Sequence, residues 1–203
     1  MKKNFLLIEH GGSKKQFTLE TLKKKNLNLY LACTSTPGWV KEIIPASRII
    51  NTETYNSIKL LTDITAYFES KKIKLDAIGN YLEHVVTQTA DVASALNLIG
   101  LNPGAARRSS CNKLLMRITC RNAGIQTPKF AVTNGFNKKN LSEAINKIGI
   151  PCVVKPIFGA ESYGTIKIEK NSSLDNIVKE IKLNTTSDKK ETYKNFTGIC
   201  LIE

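Results

Sequence analysis

The chain has 203 residues, of which 41% are hydrophobic, 7% aromatic and 23% charged. This length suits one or two domains with a buried core, and the composition excludes disordered, collagen-like and disulfide-scaffold proteins. The 30 lysines and arginines exceed the 17 acidic residues, and the net charge of +13 admits nucleic acid, an anionic membrane surface or nucleotide phosphates as partners.

The positive charge is concentrated in the second half of the chain. Residues 1–100 have 13 basic and 9 acidic side chains, whereas residues 101–203 have 17 and 8. Dispersed lysines are expected to form solvated surfaces, but one cluster of basic residues indicates an anion site. This cluster consists of Arg107, Arg108, Lys113, Arg117 and Arg121.

The cysteines and the short apolar segments predict a cytoplasmic protein. The five cysteines are odd in number and form no C-x-x-C pair, so neither a disulfide framework nor a zinc ribbon is expected. The longest apolar run, residues 5–8, is far shorter than the roughly 20 residues of a membrane span. His10 and His84 are not at metal-ligand spacing from the cysteines, and no metal site is predicted.

The first half of the chain alternates short apolar strands with amphipathic helices, a pattern typical of a parallel sheet covered by helices. The spacing of Leu61, Ile64 and Phe68 predicts one buried face of a helix. Another long helix is expected to begin after Gly79 and to end at Gly100. Strands are predicted at 4–9, 28–33, 47–51 and 75–78, and a further helix at 13–25.

The pattern changes after Gly100, where the sequence L-N-P-G at 101–104 forms a connector. We place the domain boundary here, with domains at residues 1–103 and 104–203. In the second domain, strands are predicted at 129–133, 151–155, 165–169 and 198–203, a helix at 174–181 and a polar loop at 184–195.

Two further helices of the second domain have recognisable ends. The first is expected to have Ser109 or Ser110 as its N-cap and Gly124 after its last turn. The second is expected to begin with a capping box, Asn140 with Glu143, and to end at Gly149. The buried face of the first helix is predicted to consist of Cys111, Leu114, Leu115 and Ile118.

The most informative segment is V-V-K-P-x-x-G-A-x-S-x-G at 153–164. Glycine permits positive φ and close approach, so such a loop between two antiparallel strands allows backbone N–H groups to surround phosphates. Lys155 would supply a positive charge for phosphate oxygens. The segment is neither a Walker A loop nor G-x-G-x-x-G, and alone it fits a hairpin with a surface lysine better. Lys113 and Arg117, four positions apart, are predicted to project from one helix face.

Several segments in a fixed order resemble the ATP-grasp family. They are G-L-N-P at 100–103, K-x-x-x-R at 113–117, A-G-I-Q-T-P at 123–128, I-G-I-P-C-V-V-K-P at 148–156, S-Y-G at 162–164 and L-I-E at 201–203. The first half of the chain is similar to the substrate-side domain of that family, so the resemblance extends over nearly the whole chain. The subgroup that it most resembles is the carboxylate–amine ligases of the L-amino-acid (dipeptide) ligase type.

The resemblance implies a nucleotide site in the second domain. In the family, two lysines hold the ATP phosphates, a loop covers them, and a hinge glutamate lies beside the adenine and its lysine. The matching residues are, in that order, Lys113 and Lys155; Gly159, Ser162 and Gly164; and Glu203. Glu83 aligns with an acidic position near the substrate in the ligase subgroup, and a solvated glutamate at a helix start is the alternative.

The resemblance also implies an α/β fold: an N-terminal parallel-sheet (pre-ATP-grasp) domain followed by an α+β small ATP-grasp subdomain. The implied reaction uses ATP and Mg²⁺, and it joins a small-molecule carboxylic acid to an amine through an acylphosphate. The second ATP-binding subdomain, with the magnesium ligands and a catalytic arginine, would follow Glu203. We therefore expect an N-terminal fragment that binds ATP weakly at most and is inactive alone, with its catalytic residues unassigned.

Three alternatives remain open. Within the family, the reaction could resemble that of carbamoyl-phosphate synthase or biotin carboxylase. A basic nucleic-acid-binding module is a different class, although the sequence has no RNP pattern, zinc finger or persuasive helix-turn-helix pair. The third is a non-catalytic interaction or regulatory protein. No membrane partner is expected, and homo-oligomerisation is left open.

Overall fold

The computed structural model describes residues 2–133, 135, 137–159, 162, 164–185 and 198–203. It divides into two compact units, an N-terminal unit, Met1–Ala106, and a C-terminal unit, Arg107–Glu203. Most of the predicted polar loop at 184–195 lies outside the described residues, as do three residues of the predicted phosphate loop: Ala160, Glu161 and Tyr163. In the part of the chain that is described, no helix is both long enough and apolar enough to span a membrane.

The N-terminal unit alternates strands with helices. Its strands are β1 (Lys3–Ile8), β2 (Leu27–Cys33), β3 (Ile49–Asn51) and β4 (Ala77–Gly79), and its helices are α1 (Gln16–Lys23), α2 (Gly38–Ile43), α3 (Ser57–Ser70) and α4 (Val86–Ala95). The strands are all parallel, in the order β3-β2-β1-β4. This arrangement confirms the predicted α/β fold with a parallel sheet.

Both faces of the parallel sheet are buried, because successive strand residues point to opposite sides. On β1, Leu6 and Ile8 belong to one apolar cluster with α3 and α4, whereas Leu7 belongs to a second cluster with α1 and α2. The stripe of α3 in the first cluster consists of Leu60, Ile64 and Phe68. Ile64 and Phe68 of the predicted face are therefore confirmed, whereas Leu61 is only partly buried and Leu60 is the buried residue of that turn.

Helix α4 ends at Ala95 rather than at Gly100 as predicted. Asn97 adopts a left-handed conformation with φ of 53°, and the amide of Leu98 donates a hydrogen bond to the carbonyl of Ala93 at 2.8 Å. Asparagine tolerates this conformation better than most residues, so it ends the helix where the sequence offered a later glycine.

The described residues of the C-terminal unit form an antiparallel sheet and four helices, the first of which begins in the last residues of the N-terminal unit. The strands are β5 (Ala131–Val132), β6 (Cys152–Pro156), β7 (Ile166–Ile168) and β8 (Cys200–Ile202), and the helices are α5 (Pro103–Ser109), α6 (Lys113–Asn122), α7 (Lys138–Ile148) and α8 (Leu174–Thr185). The strand order is β5-β8-β6-β7. Helices α7 and α8 supply Leu141, Ile145 and Ile181 to the core on one face of this sheet.

Two predicted N-caps are wrong. Ser109 is the last residue of α5, and Asn112 caps α6 by accepting a hydrogen bond from the amide of Leu115 at 3.0 Å. Asn137 caps α7 in the same way, so helix α7 begins before Asn140. Asparagine side chains are among the best N-caps, and each of these lies where the chain is still extended.

The predicted buried stripe of α6 is also wrong. Cys111 lies before the helix, and no residue of α6 is buried; Leu115 is 40% exposed. The predicted end of α7 at Gly149 is confirmed by a φ of 97°.

Candidate functional site

One face of the antiparallel sheet carries charged residues at its centre. On β6, Cys152, Val154 and Pro156 point into the core, while Val153 and Lys155 lie half-buried on the opposite face. Lys155 lies opposite Leu201 of β8, and the backbone groups of Glu203 pair with those of Val153 at 2.7 and 3.0 Å. Because side chains two positions apart on a strand share a face, Glu203 and Lys155 lie on the same side of the sheet.

Glu203 is the centre of a compact ion-pair cluster. Arg117 of α6 binds its carboxylate with two donors, Nε to Oε2 at 2.8 Å and Nη2 to Oε1 at 3.1 Å. The ammonium group of Lys155 donates to the same Oε1. The three side chains are only 12–18% exposed. The cluster therefore places two positive charges and one negative charge in a largely desolvated position, where electrostatic interactions are stronger than at the surface.

These contacts determine the ionisation of the cluster. Burial acts to raise the pKa of Glu203, but hydrogen bonds from Arg117 and Lys155 outweigh it and hold the pKa below the usual value. The hydrogen bond to Glu203 raises the pKa of the Arg117 guanidinium. Glu203 is therefore a carboxylate at neutral pH and acts only as a hydrogen-bond acceptor.

Lys113 joins α6 to the loop that follows β6. Its backbone amide donates to the carbonyl of Ile157 at 2.8 Å, and its Nζ donates to the carbonyl of Gly159 at 2.5 Å. The Lys113 charge also acts on Cys200 of β8, although burial dominates and raises the pKa of that thiol to about 12. Lys113 and Arg117 thus lie on one side of α6, as their spacing predicts.

The loop after β6 depends on glycine at two described positions. Gly159 is buried with φ of 107°, and Gly164 is buried with φ of 68°. A Cβ on Gly164 would lie 2.9 Å from Cγ of Pro156, closer than side chains pack. Ser162 is exposed, with φ of 61°. The loop thus follows a backbone path that larger residues resist.

Glu83 is remote in sequence from these groups. It begins a 3-10 turn, Glu83–Val85, that leads into α4 in the N-terminal unit, and its side chain is exposed. Among the described residues, no group of three or more His, Cys, Asp or Glu side chains could hold a metal ion.

Arg117 is the residue whose partner the sequence did not reveal. Its spacing from Lys113 predicts a shared face, but its partner, Glu203, is 86 positions away. Local periodicity has no information on such a contact.

No family model matches the sequence. A formate-dependent phosphoribosylglycinamide formyltransferase from Hydrogenovibrio crunogenus is 32% identical over 109 residues, which are 52% of this chain and 26% of that protein. A D-alanine–D-alanine ligase from Neisseria gonorrhoeae is 25% identical over 122 residues, 58% of this chain and 40% of that protein. The matches thus span well under half the length of these relatives.

Two solved structures share the fold over nearly the whole chain. An L-amino acid ligase from Bacillus licheniformis matches 99% of this chain and 44% of its own, with TM-score 0.69 and 21% identity. An N5-carboxyaminoimidazole synthetase from Staphylococcus aureus, complexed with ADP, matches 100% of this chain and 48% of its own, with TM-score 0.70 and 17% identity. The resemblance is therefore confirmed: the relatives and solved structures described above are ATP-grasp carboxylate–amine ligases.

Proposed function

We propose that the C-terminal unit forms one wall of an ATP site. In this proposal Lys113 and Lys155 bind the phosphates, the loop with Gly159, Ser162 and Gly164 covers them, and Glu203 lies beside the adenine. The observation that supports it most directly is the cluster of Lys155 and Arg117 on the carboxylate of Glu203. This largely desolvated cluster has an excess of positive charge and lies next to a glycine-dependent loop, so it suits a polyanion such as a nucleoside triphosphate.

The whole protein is then an ATP-dependent carboxylate–amine ligase. An oxygen of the substrate carboxylate attacks the γ-phosphorus of ATP, ADP leaves, and an acylphosphate forms. The nitrogen of the amine attacks the acyl carbon, and phosphate leaves. The residues of this chain orient and neutralise the phosphate oxygens, an electrostatic contribution of the kind that dominates phosphoryl transfer.

Part of this function lies outside the chain. The chain matches 40% or less of the curated relatives described above. We propose that the acid and the amine are small molecules, and we leave their identity open. We also propose Mg²⁺ as a requirement of the reaction, and when bound it would neutralise the phosphate oxygens. Glu83 is proposed to face the substrate. We also propose a cytoplasmic location, which suits five cysteines that form no disulfide bond.

The test is a titration of the purified chain with the fluorescent nucleotide mant-ATP. Lys155→Ala should weaken binding at least about tenfold, because it removes a charge-assisted contact to phosphate. Lys167→Ala is the matched control: Lys167 lies on the neighbouring strand β7, and its side chain is 66% exposed and paired with Glu169. It should leave the affinity unchanged.

Far-UV circular dichroism of both variants separates a lost contact from a lost fold. Wild-type affinity in a folded Lys155→Ala variant would refute the site assignment. Salt-sensitive binding of an oligonucleotide without any response to mant-ATP would instead favour the nucleic-acid-binding alternative.

A further inference from the structure

The contact between Arg117 and Glu203 has a geometry that fixes a carboxylate in one plane. The guanidinium donates to both oxygens, at 2.8 and 3.1 Å, which is the rigid fork that arginine forms and lysine does not. The backbone of Glu203 is held separately by its two hydrogen bonds to Val153. Arg117 therefore determines the orientation of the Glu203 side chain rather than the position of its backbone.

Arg117 and Lys155 are not equivalent partners of Glu203. In the proposed ATP site Lys155 binds phosphate, and a single ammonium group that turns toward phosphate leaves Glu203. Arg117 then remains as the cation on the carboxylate. Two charged groups face Glu203: Lys155 from β6 and Arg117 from α6. The charge of Lys113, also on α6, acts on the thiol of Cys200. The ionised state of Glu203 in a nucleotide complex thus depends on Arg117.

An ionised carboxylate accepts hydrogen bonds and donates none. A 6-amino purine offers N–H donors at its edge, whereas a 6-oxo purine offers an oxygen whose lone pairs repel those of the carboxylate. We propose that Arg117 is a positioning residue that makes this site select 6-amino over 6-oxo purine nucleotides, acting through Glu203. The inference rests on the proposed ATP site and adds a determinant of base specificity to it.

Loss of Arg117 would change the chemistry of Glu203 as well as its orientation. With Lys155 on the phosphate and Arg117 absent, neither of the two cations that lower the pKa of Glu203 would remain on it, so burial would raise that pKa. A protonated Glu203 has an O–H donor, which matches the 6-oxo group. Because protonation increases as the pH falls through the raised pKa, discrimination between the two bases should weaken most at acidic pH.

The experiment compares ATP with ITP, whose base has a 6-oxo group in place of the 6-amino group and a hydrogen on N1. Each nucleotide competes with mant-ATP on the wild-type chain and on Arg117→Met, at pH 8 and at pH 5.5. The wild type should prefer ATP by at least about tenfold at both pH values, as sites with buried polar groups reject mismatched partners strongly. In Arg117→Met the preference for ATP over ITP should fall to about threefold or less at pH 5.5, and the decrease should be smaller at pH 8.

Arg121→Met is the matched control. Arg121 lies one turn later on α6, is exposed, and stacks over the ring of Phe130 at 5.1 Å. This variant should keep the wild-type ratio at both pH values. Arg117→Lys should fall between wild type and Arg117→Met, because it restores the charge without the fork.

Each outcome has a distinct meaning. A wild-type chain that binds neither nucleotide would refute the proposed ATP site itself. A wild type that prefers ATP, with an Arg117→Met variant that keeps the same ratio or weakens both nucleotides equally, would overturn the specificity role. If Arg117→Met does not fold, Arg117→Lys decides: it lacks the fork, so its preference for ATP should be weaker than that of the wild type, and a wild-type ratio at both pH values would overturn the inference.

Discussion

The two units of this chain use their sheets in different ways. In the N-terminal unit both faces of the parallel sheet are buried, with Leu6 and Ile8 on one side and Leu7 and Leu31 on the other. In the C-terminal unit the apolar core lies on one face, and the opposite face presents Lys155 beside Glu203. A sheet with an apolar core on only one face has room for charged, ligand-binding side chains on the other.

In the C-terminal unit, the strand residues that stabilise the core and those that form the candidate site therefore lie on opposite faces of the sheet. A strand residue on the covered face is constrained by packing, whereas its neighbours in sequence face the candidate site. The β6 sequence C-V-V-K-P shows the alternation directly, since Cys152, Val154 and Pro156 are buried and Lys155 is not. In the parallel sheet, both sets of alternating residues are constrained by packing.

The largest effect is expected from a truncation in the sheet that is buried on both sides. Leu31→Ala on the central strand β2 removes a side chain with 0% exposure and should lower the free energy of unfolding by about 3 kcal/mol. Val153→Ala on the central strand β6 removes a half-buried side chain of the face opposite the core and should cost about 1 kcal/mol.

Urea denaturation distinguishes the two units. Trp39 is the single tryptophan and packs against the cluster that contains Leu31, so its fluorescence reports on the N-terminal unit. Far-UV circular dichroism reports on both units. Equal losses for Leu31→Ala and Val153→Ala would contradict the proposed difference between the two sheets.

A smaller effect is expected from the glycine that closes the loop of the candidate site. Gly164→Ala must adopt a φ of 68° and place a Cβ at 2.9 Å from Pro156, so it should cost about 2–3 kcal/mol. Gly124→Ala is the matched control, because it has φ of 71° with no atom within 4 Å of the added Cβ. It should cost about 1 kcal/mol. Urea midpoints followed by circular dichroism give both values; equal costs would show that contact with Pro156 does not constrain the loop.

Much of the fold could be predicted because it follows from local patterns. The alternating strands and helices predict the parallel sheet, and the apolar spacing predicts the stripe of α3. Helix ends were less predictable, because several capping residues compete within a few positions. Asn112 and Asn137 are the N-caps, where the sequence predicted Ser110 and Asn140. Both asparagines have an extended backbone, which the sequence pattern does not show.

The residues of the candidate site also differ in how far the sequence could predict them. Lys113, Lys155 and the glycines are predicted from the family resemblance, because each lies in a short segment that resembles a family motif. The ion pair between Arg117 and Glu203 joins residues 86 positions apart, and only the folded sheet and α6 bring them together. The prediction of a buried stripe on α6 was wrong for a related reason. Periodicity indicates which residues share a face, but it does not indicate what that face contacts.

The smallest effect is expected from an ion pair on the covered side of the C-terminal sheet. Lys138 of α7 contacts Asp175 of α8 at 2.7 Å, but both side chains are 61% exposed. Solvent screens such a pair and its side chains lose entropy on pairing, so Lys138→Ala should change the free energy of unfolding by less than about 0.5 kcal/mol. Urea denaturation at low and high salt provides the measurement. The Arg117 pair with Glu203 is a similar distance apart yet far less exposed, so a loss for Lys138→Ala as large as that for Arg117→Met would mean that exposure does not set the strength of these pairs.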